Sequence, residues 1–227
     1  MEDRDENKTP ELEQEPRVWS EFSDEAGGGW EVCLNTTDFQ HIHLLRDYAR
    51  AYLKAARLVF EGFRQTLQDG EGLKNYREMD AHPIVFLYRQ ALELYLKTVI
   101  VWGEPLQRMR GRPPKQKKWI FKNHDLARLL PGVKEVFGLI DCSSIWTAPT
   151  FQSFADVERV VQAVDDLPHD AFRYPINREG SKELPQGLCF SVLMFAKKLD
   201  GLLDLLDAAA TRTWDTLQGE TSPHVLP

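Results

Sequence analysis

Along Tyr88-Arg89-Gln90-Ala91-Leu92-Glu93-Leu94-Tyr95-Leu96-Lys97, a guanidinium, a carboxylate and an ammonium recur every fourth residue on a stretch that otherwise reads as protein interior. A helix advances about 100° per residue, which brings Arg89, Glu93 and Lys97 into one line. On that wheel Arg89 falls among Val85, Leu96 and Ile100, and Glu93 falls between Ile100 and Phe86, so neither sits on a clean polar face. Charges placed this way are half-buried, and a desolvated charge needs a partner. Two further polar islands can supply one: Asn123-His124-Asp125-Leu126 and Phe172-Arg173-Tyr174-Pro175. Convergence of the three stretches gives a candidate catalytic set of Arg89, Glu93, His124 and Arg173. His124 follows Asn123 at a helix start, where the helix dipole disfavours protonation and leaves a proton-accepting ring. Pro175 holds Tyr174 extended and directs the Arg173 guanidinium toward a carboxylate or phosphate.

Each of these residues also has a plainer reading. Opposite charges four apart form ordinary helix pairs worth roughly 0.2 to 0.5 kcal/mol, or a buried cluster that ties helices together. His124 can pack or cap while Asp125 complements the dipole, and Arg173 can bridge to Glu93 or Asp170.

A second lead lies between Pro105 and Asn123, where Arg108, Arg110, Arg112, Lys115, Lys117, Lys118 and Lys122 occur with no acidic residue among them. Trp119 and Phe121 are interleaved with these cations, combining phosphate attraction with faces on which unpaired bases stack. The expected nucleic-acid contacts are Arg112, Lys115, Lys117, Lys118, Trp119 and Lys122. The alternative is a solvated loop whose aromatic rings fold back onto the core.

The elements that must position these groups are helices. Ile42, Leu45, Tyr48, Ala49, Tyr52, Leu53, Ala56, Val59, Phe60 and Phe63 keep helical spacing, which predicts a helix from Thr36-Thr37-Asp38 to about Thr66. Pro83 opens the next helix, which runs to about Trp102 and ends at Gly103-Glu104-Pro105. Pro113-Pro114 forbids a regular helix in the basic loop, and Asn123 caps a helix that stops at Pro131. A short helical piece spans Lys134 to Leu139. Phe154, Val157, Val160, Val161 and Val164 form one face of a helix closing at Asp165-Asp166-Leu167-Pro168. Leu184 to about Leu217 is a final long helix, with Leu199, Leu202, Leu203 and Leu206 inward and Asp200, Asp204 and Asp207 outward. No alternating strand pattern occurs, so the expected fold is all-α: an up-and-down bundle of four to five main helices. Residues 1–17 read as a disordered acidic tail, 18–36 as an irregular docking segment, 37–217 as the bundle and 218–227 as a flexible tail.

The three islands, in this order, resemble the HEPN domain, a small helical bundle of prokaryotic toxins, defence systems and nucleotidyltransferase partners. The resemblance rests on Gln90-Ala91-Leu92-Glu93-Leu94-Tyr95-Leu96-Lys97, on His124-Asp125-Leu126-Ala127-Arg128-Leu129-Leu130 and on Arg173-Tyr174-Pro175, and covers about Asp38 to Thr211. It implies binding of RNA or a nucleotide, a homodimer, a protein partner encoded nearby and, in the nuclease branch, metal-independent RNA cleavage. That branch carries an arginine followed four to six residues later by histidine near the start of its last long helix, and this chain departs there. Arg173 has no such histidine, and Arg77-Glu78-Met79-Asp80-Ala81-His82 has the spacing but precedes the Glu93 helix. A noncatalytic scaffolding bundle remains the alternative.

Composition narrows the field. The 227 residues suit one well-buried domain plus a tail. A hydrophobic content of 42% with no long apolar run predicts a soluble chain without a membrane helix. The start lacks a secretory layout, so a cytoplasmic address is expected. A net charge of −7 argues against nonspecific nucleic-acid binding by the whole surface. Cys33, Cys142 and Cys189 are few, distant and without metal-ligand spacing, and no glycine-rich phosphate cradle or nucleophile elbow occurs. Neither a cofactor nor a metal is expected.

Overall fold

In a computed structural model the chain divides into two units, Met1–His41 and Ile42–Pro227. The structure describes residues 43–68, 81–113, 117–146, 150–167 and 189–221, all in the second unit. The expected N-terminal tail, the docking segment at 18–36, the start of the first helix, Arg173 and residues 222–227 lie outside these residues, whereas 218–221, expected in the flexible C-terminal tail, are helical. Among the described residues there are six helices and no strand: α1 (His43–Gln68), α2 (His82–Met109), α3 (Lys117–Lys122), α4 (Leu126–Phe137), α5 (Phe154–Asp165) and α6 (Val192–Thr221). The all-α bundle is what the helical periodicity predicts.

α2 is the central element, packing on α1, α6, α4 and α3, while α5 covers α4. Apolar residues occur nearly all round α2, and a helix of that kind is stable only inside a bundle. Tyr88, Leu92, Tyr95, Leu96 and Ile100 are fully buried in it. Each apolar side chain removed from water contributes about 1.5 to 3 kcal/mol, so this core outweighs the cost of charges embedded in it.

α2 does not stop at Gly103-Glu104-Pro105 but continues to Met109. Gly103 makes the extension possible, because a Cβ there would lie 2.2 Å from Val136 Cγ2 on α4. Only a glycine lets the two helices approach so closely. Pro105 removes one hydrogen bond, and the burial of Leu106 and Gln107 beyond it keeps the helix intact. α4 likewise passes through Pro131 to Phe137, absorbing the short piece expected from Lys134. Pro131 lies on its exposed face. The cap of α4 is Asp125, not Asn123: the Asp125 carboxylate accepts from Arg128 N at 3.0 Å, which holds its pKa below the usual range. Asn123 Oδ1 instead accepts from Asp125 N at 3.3 Å in the turn before the cap. The basic stretch, expected to be loop, contains the short helix α3. α6 begins at Val192, later than expected, with residues 189–191 non-helical. α5 matches its expected span.

α1 and α6 meet along a ladder of charge. Arg46 Nε donates to Asp207 Oδ1 at 2.6 Å and Arg50 Nη2 to Asp207 Oδ2 at 2.8 Å. Arg57 spans Asp200 at 2.8 Å and Asp204 at 2.9 Å. Asp200 and Asp207, expected to point outward, are thus half-buried against α1, and only Asp204 is mostly exposed. The Tyr88 hydroxyl donates to Asp200 Oδ1 at 3.0 Å. Burial and the neighbouring Asp207 push the Tyr95 hydroxyl up to about 12.

Candidate functional site

The line of charges predicted on α2 is present and lies deeper than half-burial: Arg89, Glu93 and Lys97 are 7%, 3% and 3% exposed. Glu93 is the hub. Its Oε1 accepts from Lys97 Nζ at 2.7 Å and lies 2.9 Å from His124 Nδ1, while Oε2 is 3.6 Å from Arg89 Nη1. Arg89 Nη2 donates to the His124 carbonyl at 3.0 Å and lies 3.7 Å from Asp165 Oδ1. Two of the three islands, whose Glu93 and His124 are 31 positions apart in the chain, therefore share one cluster.

Asp165, which the sequence presents only as the end of a helix, completes it. From the last residue of α5 its carboxylate accepts from Leu126 N at 2.9 Å and Ala127 N at 3.2 Å, satisfying amides in the first turn of α4. The cluster balances two cations, Arg89 and Lys97, with two carboxylates, Glu93 and Asp165. That neutrality makes the burial tolerable, though Arg89 Nε and Asn123 Nδ2 remain buried without an acceptor.

His124 differs from the rest of the cluster in being 67% exposed. A carboxylate at Nδ1 selects the tautomer with its proton there, leaving the Nε2 lone pair as the acceptor. The ring is fixed from below through Glu93 and its backbone is held through Arg89. The arrangement can take up a proton from a molecule at the surface. Arg89, in contrast, faces inward and meets protein groups rather than solvent.

The basic segment approaches the same place. α3 carries Trp119 at 38% and Phe121 at 42% exposure, with Ile120 buried between them as the anchor. Lys122 is exposed and precedes His124 by two residues, so their Cα atoms lie within about 7 Å. Arg112 is exposed at the end of the turn following α2. Lys115 and the side chains of Lys117 and Lys118 lie outside the described residues, as does Arg173. Among the described residues no group of three or more His, Cys, Asp or Glu side chains is placed to hold a metal ion, and no helix is long and apolar enough to cross a membrane.

Fold and site together define an all-α bundle whose central helix carries a buried, charge-balanced cluster ending in an exposed imidazole. No family model matches the chain, and no curated protein or solved structure matches it.

Proposed function

We propose that this chain is a HEPN-like helical protein that binds RNA or a nucleotide at the α3–α4 end of the bundle, with His124 as the proton acceptor of that surface. The observation that carries this reading is the 2.9 Å contact of His124 Nδ1 with buried Glu93 beneath an otherwise exposed ring. An imidazole held in one tautomer suits abstraction of a ribose 2′-hydroxyl proton, the first requirement of metal-independent cleavage. The second is a cation for the charge that develops on phosphorus. Lys122 and, from its motif, Arg173 are assigned that role, while Arg89 acts through His124 as a positioning residue. Trp119 and Phe121 provide the stacking faces.

The test is titration of a fluorescent single-stranded RNA with the full chain, followed by a digestion assay. Trp119→Ala is expected to weaken binding by roughly 5- to 150-fold, the worth of one stacked base. Lys122→Ala is expected to lower the salt dependence by about one ion. Digestion lost in both His124→Ala and Arg173→Ala supports cleavage. Binding without digestion leaves a binding protein, and absence of binding at low salt removes the RNA reading.

A scaffolding role is favoured by one observation: Arg89 and Lys97 are consumed by internal partners, Lys97 by Glu93 of the same helix and Arg89 by the His124 carbonyl, which ties α2 to the α3–α4 joint. Intact RNA in the digestion assay, with unchanged helicity in the variants, selects it.

A further inference from the structure

The junction of α1 with α6 is built twice, about two helical turns apart. At one end Arg50 Nη2 donates to Asp207 Oδ2 at 2.8 Å, and the Tyr95 hydroxyl of α2 interacts with both residues. At the other, Arg57 Nε and the Tyr88 hydroxyl donate to Asp200 Oδ1 at 2.8 and 3.0 Å. Arginine, aspartate and tyrosine each recur after seven residues, which returns them to the same face of their own helix. Tyr88 and Tyr95 are buried, so both units are anchored in the core.

Between the two units lies an open groove of about 390 Å³, floored by buried Leu53 and Tyr95 and edged by exposed Leu58. That volume falls at the lower end of the range for small-molecule sites. Lys54 lines the groove between the two arginines, within about 6 Å of helical rise from either. It has no hydrogen-bond or ion-pair partner among the described residues. Arg50 and Arg57 engage α6 through Nε and Nη2, so Nη1 of each lies outside these pairs. The groove therefore sets one unengaged ammonium between two guanidinium groups already fixed in direction.

We propose that this groove binds a small organic monocarboxylate with an apolar body, its carboxylate on Lys54 between Arg50 and Arg57 and its body along Leu53 and Leu58. Charge selects the ligand. Arg50, Lys54 and Arg57 share the groove with Asp204 and Asp207, an excess of one positive charge. A monoanion restores neutrality, whereas the second charge of a phosphate monoester faces the largely exposed Asp204 carboxylate. Guanidinium and ammonium donors suit the two oxygens of a carboxylate, and the lysine and arginine stems extend the apolar wall begun by the leucines. Since the guanidinium groups are held before any ligand arrives, binding does not have to order them. None of these residues belongs to the α3–α4 surface, so the inference stands apart from the RNA reading.

Amide NMR of the isotopically labelled full chain, titrated with sodium octanoate at constant ionic strength, is the test. Saturable shifts in the millimolar range are expected, centred on Leu53 to Leu58 of α1 and Asp204 to Asp207 of α6. Acetate, which lacks the body, is expected to bind at least about tenfold more weakly, and octyl phosphate no more tightly than octanoate. Lys54→Ala is expected to weaken octanoate by about 10- to 150-fold, the worth of a hydrogen bond to a charged group, and Lys54→Glu to abolish saturation. Because Lys54 has no internal partner, circular dichroism and melting of both variants are expected to match the wild type. Leu58→Asn is expected to weaken octanoate by roughly 3- to 10-fold, while Leu193→Asn, outside the groove, leaves it unchanged. Absence of a saturable shift, or binding that persists in Lys54→Glu, overturns the proposal. Tighter binding of octyl phosphate overturns the choice of a monocarboxylate, and shifts centred on Trp119 and His124 overturn the location.

Discussion

The Glu93 cluster and the α1–α6 ladder contain the same chemistry in different surroundings. In the ladder Arg57 and Asp204 keep 44% and 65% of their side-chain surface, so water and salt share the work of solvating them. In the cluster Glu93 and Lys97 keep 4% each, and every charge depends on its protein neighbours. The ladder can lose its exposed Arg57–Asp204 pair at little cost, since exposed pairs are worth about 0 to 1 kcal/mol. The cluster cannot, because removing one partner strands another charge in a medium that does not solvate it. Burial, more than pairing, sets what an ion pair means to this fold.

Four substitutions break or sharpen that contrast. Glu93→Ala leaves Arg89 and Lys97 uncompensated and is expected to cost about 3 to 5 kcal/mol in urea unfolding. Replacing Arg89, Glu93 and Lys97 together by Met, Leu and Leu reverses the sign, with stability unchanged or raised by about 1 to 4 kcal/mol, because the three most deeply buried charges leave together and Asp165 keeps the Leu126 and Ala127 amides. A large loss in that triple variant refutes the description of the cluster as a desolvation burden. Asp165→Ala strips the acceptor from Leu126 N and Ala127 N and is expected to cost about 1 to 3 kcal/mol, read as a lower midpoint with an unchanged denaturant slope.

Asp207→Asn, in the half-buried part of the ladder, is expected to cost about 1 to 2 kcal/mol at low salt and less at about 1 M salt, which screens the exposed Arg50 but only weakly the part-buried Arg46. Burial works against ionisation of Asp207, but hydrogen bonds from Arg46 and Arg50 outweigh it and hold its pKa below the usual value. The unfolded chain therefore binds the proton more readily. The stability Asp207 contributes is fully present above the unfolded pKa of about 3.9 and is lost as pH falls through the lower folded value. Acid unfolding of the wild type and of Asp207→Asn is expected to converge in that range; curves that remain parallel to the lowest pH would exclude the linkage.

How much of this was legible in the sequence follows from what each feature depends on. The Arg89-Glu93-Lys97 line was readable because its spacing and its apolar neighbours lie within a few turns of one another. Its meeting with His124 was readable because a buried charge demands partners and polar islands on apolar elements are few. Asp165 was hidden because its carboxylate serves amides of a different helix, a relation with no local signature. Gly103-Glu104-Pro105 looked like a terminus because local propensity favours one there, and the close approach of Val136 that overrides it is purely tertiary. Tyr48 and Val59 keep the helical spacing of their buried neighbours yet stay exposed, because periodicity marks apolar positions without telling which neighbour will cover them.

One oxygen of Glu93 accepts from the ammonium beneath it and faces the imidazole above. Whatever draws that ring aside leaves the oxygen to Lys97 alone, and Arg89 grips the same histidine by its carbonyl. An encounter at the rim is thereby felt on the middle turns of α2, against which every long helix of the bundle is braced.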